Sequence, residues 1–392
     1  MHHAFWARDQ IRDTPLYERY GDATARGEVA YRDFDVEYPP GALPAIVFPS
    51  LVTGPDDGEP TNAYHETFER AMLACGALAL ACMAVALVAL GASATRLSVA
   101  LAFAALAPLA LGSVILSRFD LWPAALTVGA LAALLAGRNR LGAGVLAVAV
   151  AAKLYPAVLV PLAGVWIWRR SGRRELLVAA AVFAVVLAAI VVPFLVVAPE
   201  GVADSLWRQL RRPLQIESLG AVVLVSLHHL AGLHVEMRAS AGSQNIAGGL
   251  GVAVAAVQSA VQLAVLVWLW ISFARGPADR ERLVRYAAAA VLAFVALGKV
   301  LSPQFLIWLL PLVPLVAGRR GVVATALLGT ALVLTQLWFP YRYWDYAGSF
   351  DGAVTALVLV RDLVLIALLA VLMAPPPSAA RRLALAPGRR SR

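Results

Sequence analysis

The stretch LLVAAAVFAVVLAAIVVPFLVVA (176–198) contains no charged side chain over its whole length. About 20 consecutive apolar residues are enough for an α-helix to cross the hydrocarbon core of a bilayer. This run therefore predicts a transmembrane helix. The whole chain is 61% hydrophobic and 15% charged, whereas soluble domains are about a quarter charged. We therefore predict an all-α polytopic membrane protein.

Ten further apolar runs bring the predicted number of membrane helices to about eleven. Several of them are short, and we expect the runs that meet at Lys153 and at Ser302 to be broken helices, which membranes tolerate where backbone lines a cavity. The predicted spans are 71–91, 97–116, 121–136, 141–151, 154–168, 176–198, 249–273, 285–301, 303–317, 321–338 and 354–373.

The arginines set the predicted orientation of these spans. Positive residues in short loops mark the cytoplasmic side of a membrane protein. The clusters lie at 138–140, 169–174, 275–285, 319–320 and 381–392. This puts residues 1–70 and the loop 199–248 outside and the C-terminus in the cytoplasm, and we expect the membrane to be the plasma (inner) membrane. It also accounts for the +9 net charge without nucleic-acid binding.

We accordingly divide the chain into three parts. Residues 1–70 form an acidic outer loop with a short interfacial helix at ALPAIVFPSLV (42–52), residues 71–374 form the membrane domain, and residues 375–392 form a basic cytoplasmic tail. A second outer loop, 199–248, is apolar in its centre, where we expect an amphipathic or re-entrant helix.

Lysine is rare and placed unusually. Among 33 basic residues only Lys153 and Lys299 are lysines, and each lies in apolar sequence just before a proline. A charge inside a membrane span is costly and is a functional hypothesis by default, although a lysine at a helix end can also extend to the interface. The predicted topology brings both lysines to the outer side.

Further polar residues are predicted at the same depth. SRFDLWP carries Arg118 and Asp120, and QLRRPLQIES carries a group of four: Arg211, Arg212, Gln215 and Glu217. Arginine and lysine together suit an anionic lipid headgroup, because a phosphate needs several fixed donors. Arg118 and Asp120 could equally form a structural ion pair, and Arg211 and Arg212 could be a solvated surface.

The acidic segment DTPLYERYGDATARGEVAYRDFDVEYPPG (13–41) faces the same side in this topology. A carboxylate beside a bound phosphate-linked group could deprotonate an incoming hydroxyl as a general base. Such chemistry needs no metal if protein cations neutralise the leaving group, and no cluster of metal ligands is evident in the sequence. Composition does not decide which of the acidic residues is the general base.

The order of DTPLY, YPPGALP, SRFDLWPA, KLYPAVLVP, RPLQIES and KVLSPQFLIWLLP resembles membrane proteins of glycosyltransferase family 87, the domain-of-unknown-function 2029 group of actinobacterial type. These are similar to polyprenyl-phosphate-mannose-dependent mannosyltransferases of the GT-C superfamily. The resemblance spans about residues 13–340. It implies a GT-C-like helical bundle and an inverting transfer, on the outer face, of a sugar from a polyprenyl phosphate to an acceptor hydroxyl.

The resemblance also implies roles for single residues. By this resemblance Asp13, which Tyr17 follows four residues later, is the general base. Asp33, Asp35 and Glu37 are the rival candidates for that role. The donor phosphate would be held by Arg118, Lys153, Arg211, Arg212 and Lys299. The substrate pocket would be lined by Tyr17, Tyr38, Asp120, Tyr155, Gln215, Glu217, His228, His229, Ser302 and Gln304, although a His pair on such a stretch is more often a packing feature.

Partners and cofactors follow from the same resemblance. We expect a membrane lipid carrying the sugar, mannose by family analogy, and a glycolipid or glycan acceptor, with no nucleic acid and no cofactor or metal. The family carries a transmembrane helix ahead of the catalytic acid, and the apolar runs begin only after Asp13, so we expect that first helix to be missing. The alternative functions are a transporter of a lipid-linked or small solute, which also uses broken helices, and a catalytically inactive relative.

Overall fold

A computed structural model describes residues 11–55 and 62–374. Three predictions lie wholly or partly outside these ranges. They are the missing helix ahead of Asp13, the part of the polar loop before the first span at 56–61, and the basic tail at 375–392.

Long apolar helices dominate the described residues, and the predicted fold class, an all-α polytopic membrane protein, is confirmed. Four helical stretches there are long and apolar enough to cross a membrane: Ala63–Ala89, Tyr155–Val197, Gly248–Arg275 and Gly352–Met373. We call Ala63–Ala89 α3, Val160–Val197 α7, Gly248–Arg275 α10 and Gly352–Met373 α14. The other predicted spans correspond to shorter helices, so length alone supports fewer crossings than the eleven predicted.

The shorter helices complete the membrane domain. They are α4 (Ala94–Leu106), α5 (Leu121–Leu135), α6 (Asn139–Ala152), α11 (Arg280–Ala296) and α12 (Gly318–Gln336). Most residues of α5 are buried, and so are most residues of α11 after its charged first turn, as expected of apolar helices that other helices surround.

The helix α7 is two helices that reverse direction at Gly172. The backbone there has φ 83° and ψ 175°, a conformation that glycine adopts readily. A Cβ added at Gly164 would lie 3.9 Å from Cδ1 of Leu176, whereas a straight helix would separate these residues by about 18 Å. The predicted spans 154–168 and 176–198 are therefore separate helices, joined at the predicted arginine loop.

Two predicted spans are not continuous α-helices. The run 303–317 forms two 3₁₀ segments, Pro303–Leu309 and Val313–Leu315, buried among other helices. The run 97–116 is helical only to Leu106 and continues as 3₁₀ turns at Ala107–Ala110 and Gly112–Ile115. Prolines explain both differences, because a proline removes a backbone donor and clashes with the preceding turn of an α-helix.

Smaller elements cover one end of this bundle. They are α1 (Thr14–Ala25), α2 (Leu43–Thr53), α8 (Pro199–Leu210), α9 (Leu219–Ala231), an antiparallel hairpin of β1 (Met237–Ser240) and β2 (Ser243–Ile246), and α13 (Tyr343–Ser349). The helix predicted at 42–52 is α2. The loop 199–248 contains two helices and a hairpin, where the sequence predicted one helix.

The segment before α2 packs tightly on the end of α6. A Cβ on Gly41 would lie 2.5 Å from the carbonyl carbon of Ala151, so only glycine fits against that backbone. The indole of Trp122 also donates a hydrogen bond to the Gly41 carbonyl at 3.1 Å. Since α6 ends at Ala152, this contact holds the acidic segment beside Lys153.

Candidate active site

A buried ion pair lies where α5 begins and α6 ends. Nζ of Lys153 lies 2.6 Å from Oδ1 of Asp120, and the Asp120 side chain is 1% exposed. The indole of Trp308 donates a hydrogen bond to the same oxygen at 2.6 Å. The broken helices predicted at Lys153 and Ser302 therefore meet at one carboxylate.

Aromatic rings surround this lysine. Its Nζ lies 4.6 Å from the ring centroid of Phe119, 5.1 Å from that of Trp308 and 5.8 Å from that of Phe305. Such rings attract a cation through their electron-rich faces. Tyr155 stacks on Trp308 at 4.0 Å and shares a 2.9 Å hydrogen bond with Thr127. The aromatic rings thus hold the Lys153 side chain in one position.

Asp13 lies beside this pair, at the start of α1. Its carboxylate forms an ion pair with Arg118, and the hydroxyl of Tyr17 lies 3.4 Å from Oδ2. Arg118 also donates to the carbonyl of Ile11 at 3.1 Å. The Asp13 side chain is 30% exposed, so its carboxylate is both held and reachable.

Two tyrosines join the acidic segment to the lysine site. The Tyr17 ring lies 5.7 Å from that of Phe119, and the Tyr38 ring lies 4.9 Å from it, both edge to face. The Tyr31 hydroxyl donates to the Tyr38 carbonyl at 2.5 Å, which fixes the turn that carries Tyr38. Tyr17 and Tyr38, two of the three tyrosines predicted in the pocket, therefore lie at the site.

A third group comes from residues 212–218, which we call the strap. Gln215 donates through Nε2 to the hydroxyl of Ser302 at 2.8 Å, and its backbone N–H donates to the carbonyl of Lys299 at 2.9 Å. Arg212 lies close enough to Lys153, Lys299 and Glu217 for their charges to interact. The strap thus places Arg212 near the cations Arg118 and Lys153.

Glu217 is the buried acid of the strap. Burial raises the pKa of its carboxyl to about 8, and the charges of Arg361, Arg118 and Arg212 act against that rise. Within the described residues Oε2 of Glu217 and Nε of Arg212 are buried without a hydrogen-bond partner. Buried polar atoms of this kind are rare and mark sites completed by water or a ligand.

Four predicted site residues lie away from the site around Lys153 or make no specific contact with it. Arg211 is exposed and stacks 4.2 Å from the ring of Trp207. Nδ1 of His228 donates to the Leu233 carbonyl at 2.8 Å, and His229 lies 3.5 Å from the Thr355 hydroxyl, both at the last turn of α9. Gln304 is half-buried at the start of its 3₁₀ segment.

The rival acids are engaged differently from Asp13. Asp33 is exposed, and hydrogen bonds from Arg32 and from the backbone N–H of Val29 lower its pKa to about 2. Asp35 pairs with Arg208 at 2.6 Å on an exposed surface. The half-buried Glu37 is the stronger rival, because its charge interacts with that of Arg212.

Several residues that complete the site were not predicted from the sequence. Phe119 lies in SRFDLWPA and Trp308 in KVLSPQFLIWLLP, but aromatic residues in an apolar chain carry little signal about position. Arg361 and Asp362 lie in the predicted span 354–373, and adjacent charges inside an apolar run were a usable signal.

The arrangement suits transfer from a phosphate-linked donor. It combines four cations, Arg118, Lys153, Arg212 and Lys299, with one partly exposed carboxylate, Asp13. Within the described residues no group of three His, Cys, Asp or Glu side chains could hold a metal ion.

Comparison with known proteins assigns a family. No curated protein matches the chain significantly. The family model of glycosyltransferase family 87 matches residues 37–303, which include Arg118, Asp120, Lys153 and the strap. Asp13 lies before the matched range. The chain belongs to glycosyltransferase family 87 and is a membrane glycosyltransferase.

Proposed function

We propose that the protein transfers a sugar from a polyprenyl-phosphate donor to an acceptor hydroxyl on the outer face of the plasma membrane. The observation that carries this proposal is the convergence of Arg118, Lys153 and Arg212 beside the Asp13 carboxylate. A lipid-linked phosphate is a fitting donor because the site lies at one end of apolar membrane helices.

The cations bind and neutralise the donor phosphate. Arg118 and Arg212 offer forked donors that match phosphate oxygens, and Lys153 and Lys299 supply point charges. Nζ of Lys299 already donates to the carbonyl of Leu210 at 2.9 Å, so its position is fixed before substrate arrives. Fixed charges cost little reorganisation when negative charge develops on the leaving group.

The carboxylate of Asp13 acts as the general base. It takes the proton of the acceptor hydroxyl, whose oxygen forms a bond to the anomeric carbon of the sugar. The bond between that carbon and the phosphate oxygen breaks, and the polyprenyl phosphate leaves with the electron pair. A single displacement of this kind inverts the anomeric configuration, and no metal or cofactor takes part in it.

The donor sugar is mannose in this proposal, by resemblance to the mannosyltransferases, and the acceptor is a glycolipid or glycan. The outward orientation is supported by the arginine clusters, which the positive-inside rule assigns to the cytoplasm together with the C-terminus. Tyr17, Tyr38, Tyr155 and Gln215 line the donor side of the pocket.

The test is a transfer assay with two donors. Purified protein in vesicles receives radiolabelled polyprenyl-phosphate mannose or a labelled nucleotide mannose, together with a lipid acceptor extract. We expect label in a new product only from the polyprenyl donor. Transfer from the nucleotide donor alone would contradict the proposed donor class. Movement of labelled lipid across the vesicle wall without a new product would support the transporter.

A further inference from the structure

Two adjacent charges are buried in the middle of the membrane helix α14. Arg361 and Asp362 on α14 are 0% and 1% exposed at their side chains, and Nε of Arg361 lies 2.6 Å from Oδ1 of Asp362. Burying an ion pair offers little net stability, because desolvation offsets the attraction. Charges retained at this depth therefore call for a functional explanation.

Arg361 reaches across to the strap. Its Nη2 donates to the carbonyl of Glu217 at 2.9 Å. One residue earlier, the carbonyl of Ile216 accepts from the hydroxyl of Tyr346 at 2.8 Å. Two successive strap carbonyls are thus bound by α14 and by α13.

The opposite edge of the strap is bound to the site. The backbone N–H of Gln215 donates to the Lys299 carbonyl at 2.9 Å, and that of Ile216 donates to the Gln244 carbonyl at 3.0 Å. The strap therefore lies between α14 on one side and Lys299 and the β1–β2 hairpin on the other. A displacement at Glu217 would be passed to Gln215 and Arg212.

Glu217, whose carbonyl Arg361 binds, has a buried side chain. Burial raises the pKa of this carboxyl to about 8, while the charges of Arg361, Arg118 and Arg212 act in the opposite direction. The contact between Arg361 and the strap is therefore the hydrogen bond to the Glu217 carbonyl, and its loss would release the segment that carries Arg212.

We propose that Arg361, paired with Asp362, is a positioning residue for donor binding: it holds the strap in place, and with it the Arg212 side chain that binds the phosphate. This inference rests on the proposed function. Arg361 does not touch the substrate, so its loss affects donor KM before it affects kcat.

The first experiment compares Arg361→Gln with a matched control. Arg285 on α11 donates to the carbonyl of Leu372 at 2.9 Å, near the other end of the same helix, so Arg285→Gln removes a similar bond away from the strap. We expect donor KM to rise tenfold or more in Arg361→Gln, kcat to fall less than threefold, and Arg361→Lys to recover part of the loss. An unchanged KM, or equal effects in Arg285→Gln, would overturn the proposal.

The second experiment needs no transfer activity. In a chain with Cys75 and Cys82 replaced by alanine, single cysteines are placed at Ser218 in the strap and at Ser50 in α2, both fully buried. We expect Arg361→Gln to increase maleimide labelling of Ser218→Cys while Ser50→Cys stays protected.

The two experiments separate the possible failures. If the unsubstituted protein transfers no label, the proposed function fails while the labelling still decides whether Arg361 holds the strap. Equal exposure of both cysteines would make Arg361 a general stability residue and overturn the proposal, as would continued protection of Ser218→Cys. If Arg361→Gln does not fold, the double variant Arg361→Gln with Asp362→Asn, which leaves neither charge of the pair buried, takes its place in both experiments.

Discussion

Lys153 and Asp120 form the ion pair on which the site is built, with 2.6 Å between Nζ and Oδ1. The two residues lie at the end of α6 and just before α5, so the pair joins two membrane helices at their common boundary. Trp308 donates to the same carboxylate oxygen from a third segment. The pair therefore fixes the relative positions of three chain segments as well as the charge of the site.

We expect Asp120→Ala to destabilise the protein strongly. Removing one member of a buried pair leaves an uncompensated charge and typically costs about 3–5 kcal/mol. Replacing both members, in Asp120→Ala with Lys153→Met, should restore part of that stability because no charge remains buried. Apparent melting temperatures in detergent measure both variants. Strictly additive losses in the double variant would contradict the coupling.

Donor affinity should depend on the cations of the site. Arg212→Gln and Lys299→Gln each remove a charged donor, worth about 1.5–3 kcal/mol, so donor KM should rise roughly 10- to 100-fold. Arg211→Gln is the matched control, because Arg211 is exposed and stacks on Trp207. Initial rates at varied donor concentration measure the difference. An effect of Arg211→Gln as large as that of Arg212→Gln would place the phosphate nearer α8.

Gly41 should tolerate no side chain. A Cβ there would lie 2.5–2.7 Å from backbone atoms of Ala151 and Ala152, which cannot move without shifting the end of α6. Overpacking of this kind costs about 1–3 kcal/mol or more. Gly41→Ala should therefore melt at a lower temperature and lose transfer. Gly249→Ala, where no atom lies within 4 Å, should melt as the unsubstituted protein does.

Much of the fold class and part of the site were predictable from sequence. Apolar runs and charges inside them are local signals, so the membrane class could be predicted and Lys153, Lys299 and Arg118 could be selected. The pairing was not local: Arg118 and Asp120 suggested a pair with each other, whereas Arg118 pairs with Asp13 and Asp120 with Lys153. Partners distant in sequence are decided by how the helices pack.

The irregular backbone segments were the other feature that could not be predicted from the sequence. The hairpin turns at Ala241 and Gly242, both with positive φ, but its strands are polar and lack the alternation that predicts a sheet. The segment at 303–315 is apolar apart from Gln304, so hydropathy favoured a spanning helix although its prolines favour 3₁₀ turns. In both cases local backbone chemistry outweighed the hydrophobic pattern.

The most direct measurement is the rate of sugar transfer by Asp13→Asn in vesicles with polyprenyl-phosphate mannose as donor. The amide keeps the shape of the carboxylate but cannot accept a proton, and loss of a general base typically costs about 10²–10⁴-fold. We expect kcat to fall by that factor with the protein folded, while Asp33→Asn, whose carboxylate is bound to Arg32, keeps nearly full activity. Full transfer by Asp13→Asn would contradict the assignment of the base, and loss of transfer in Glu37→Gln instead would move it to Glu37.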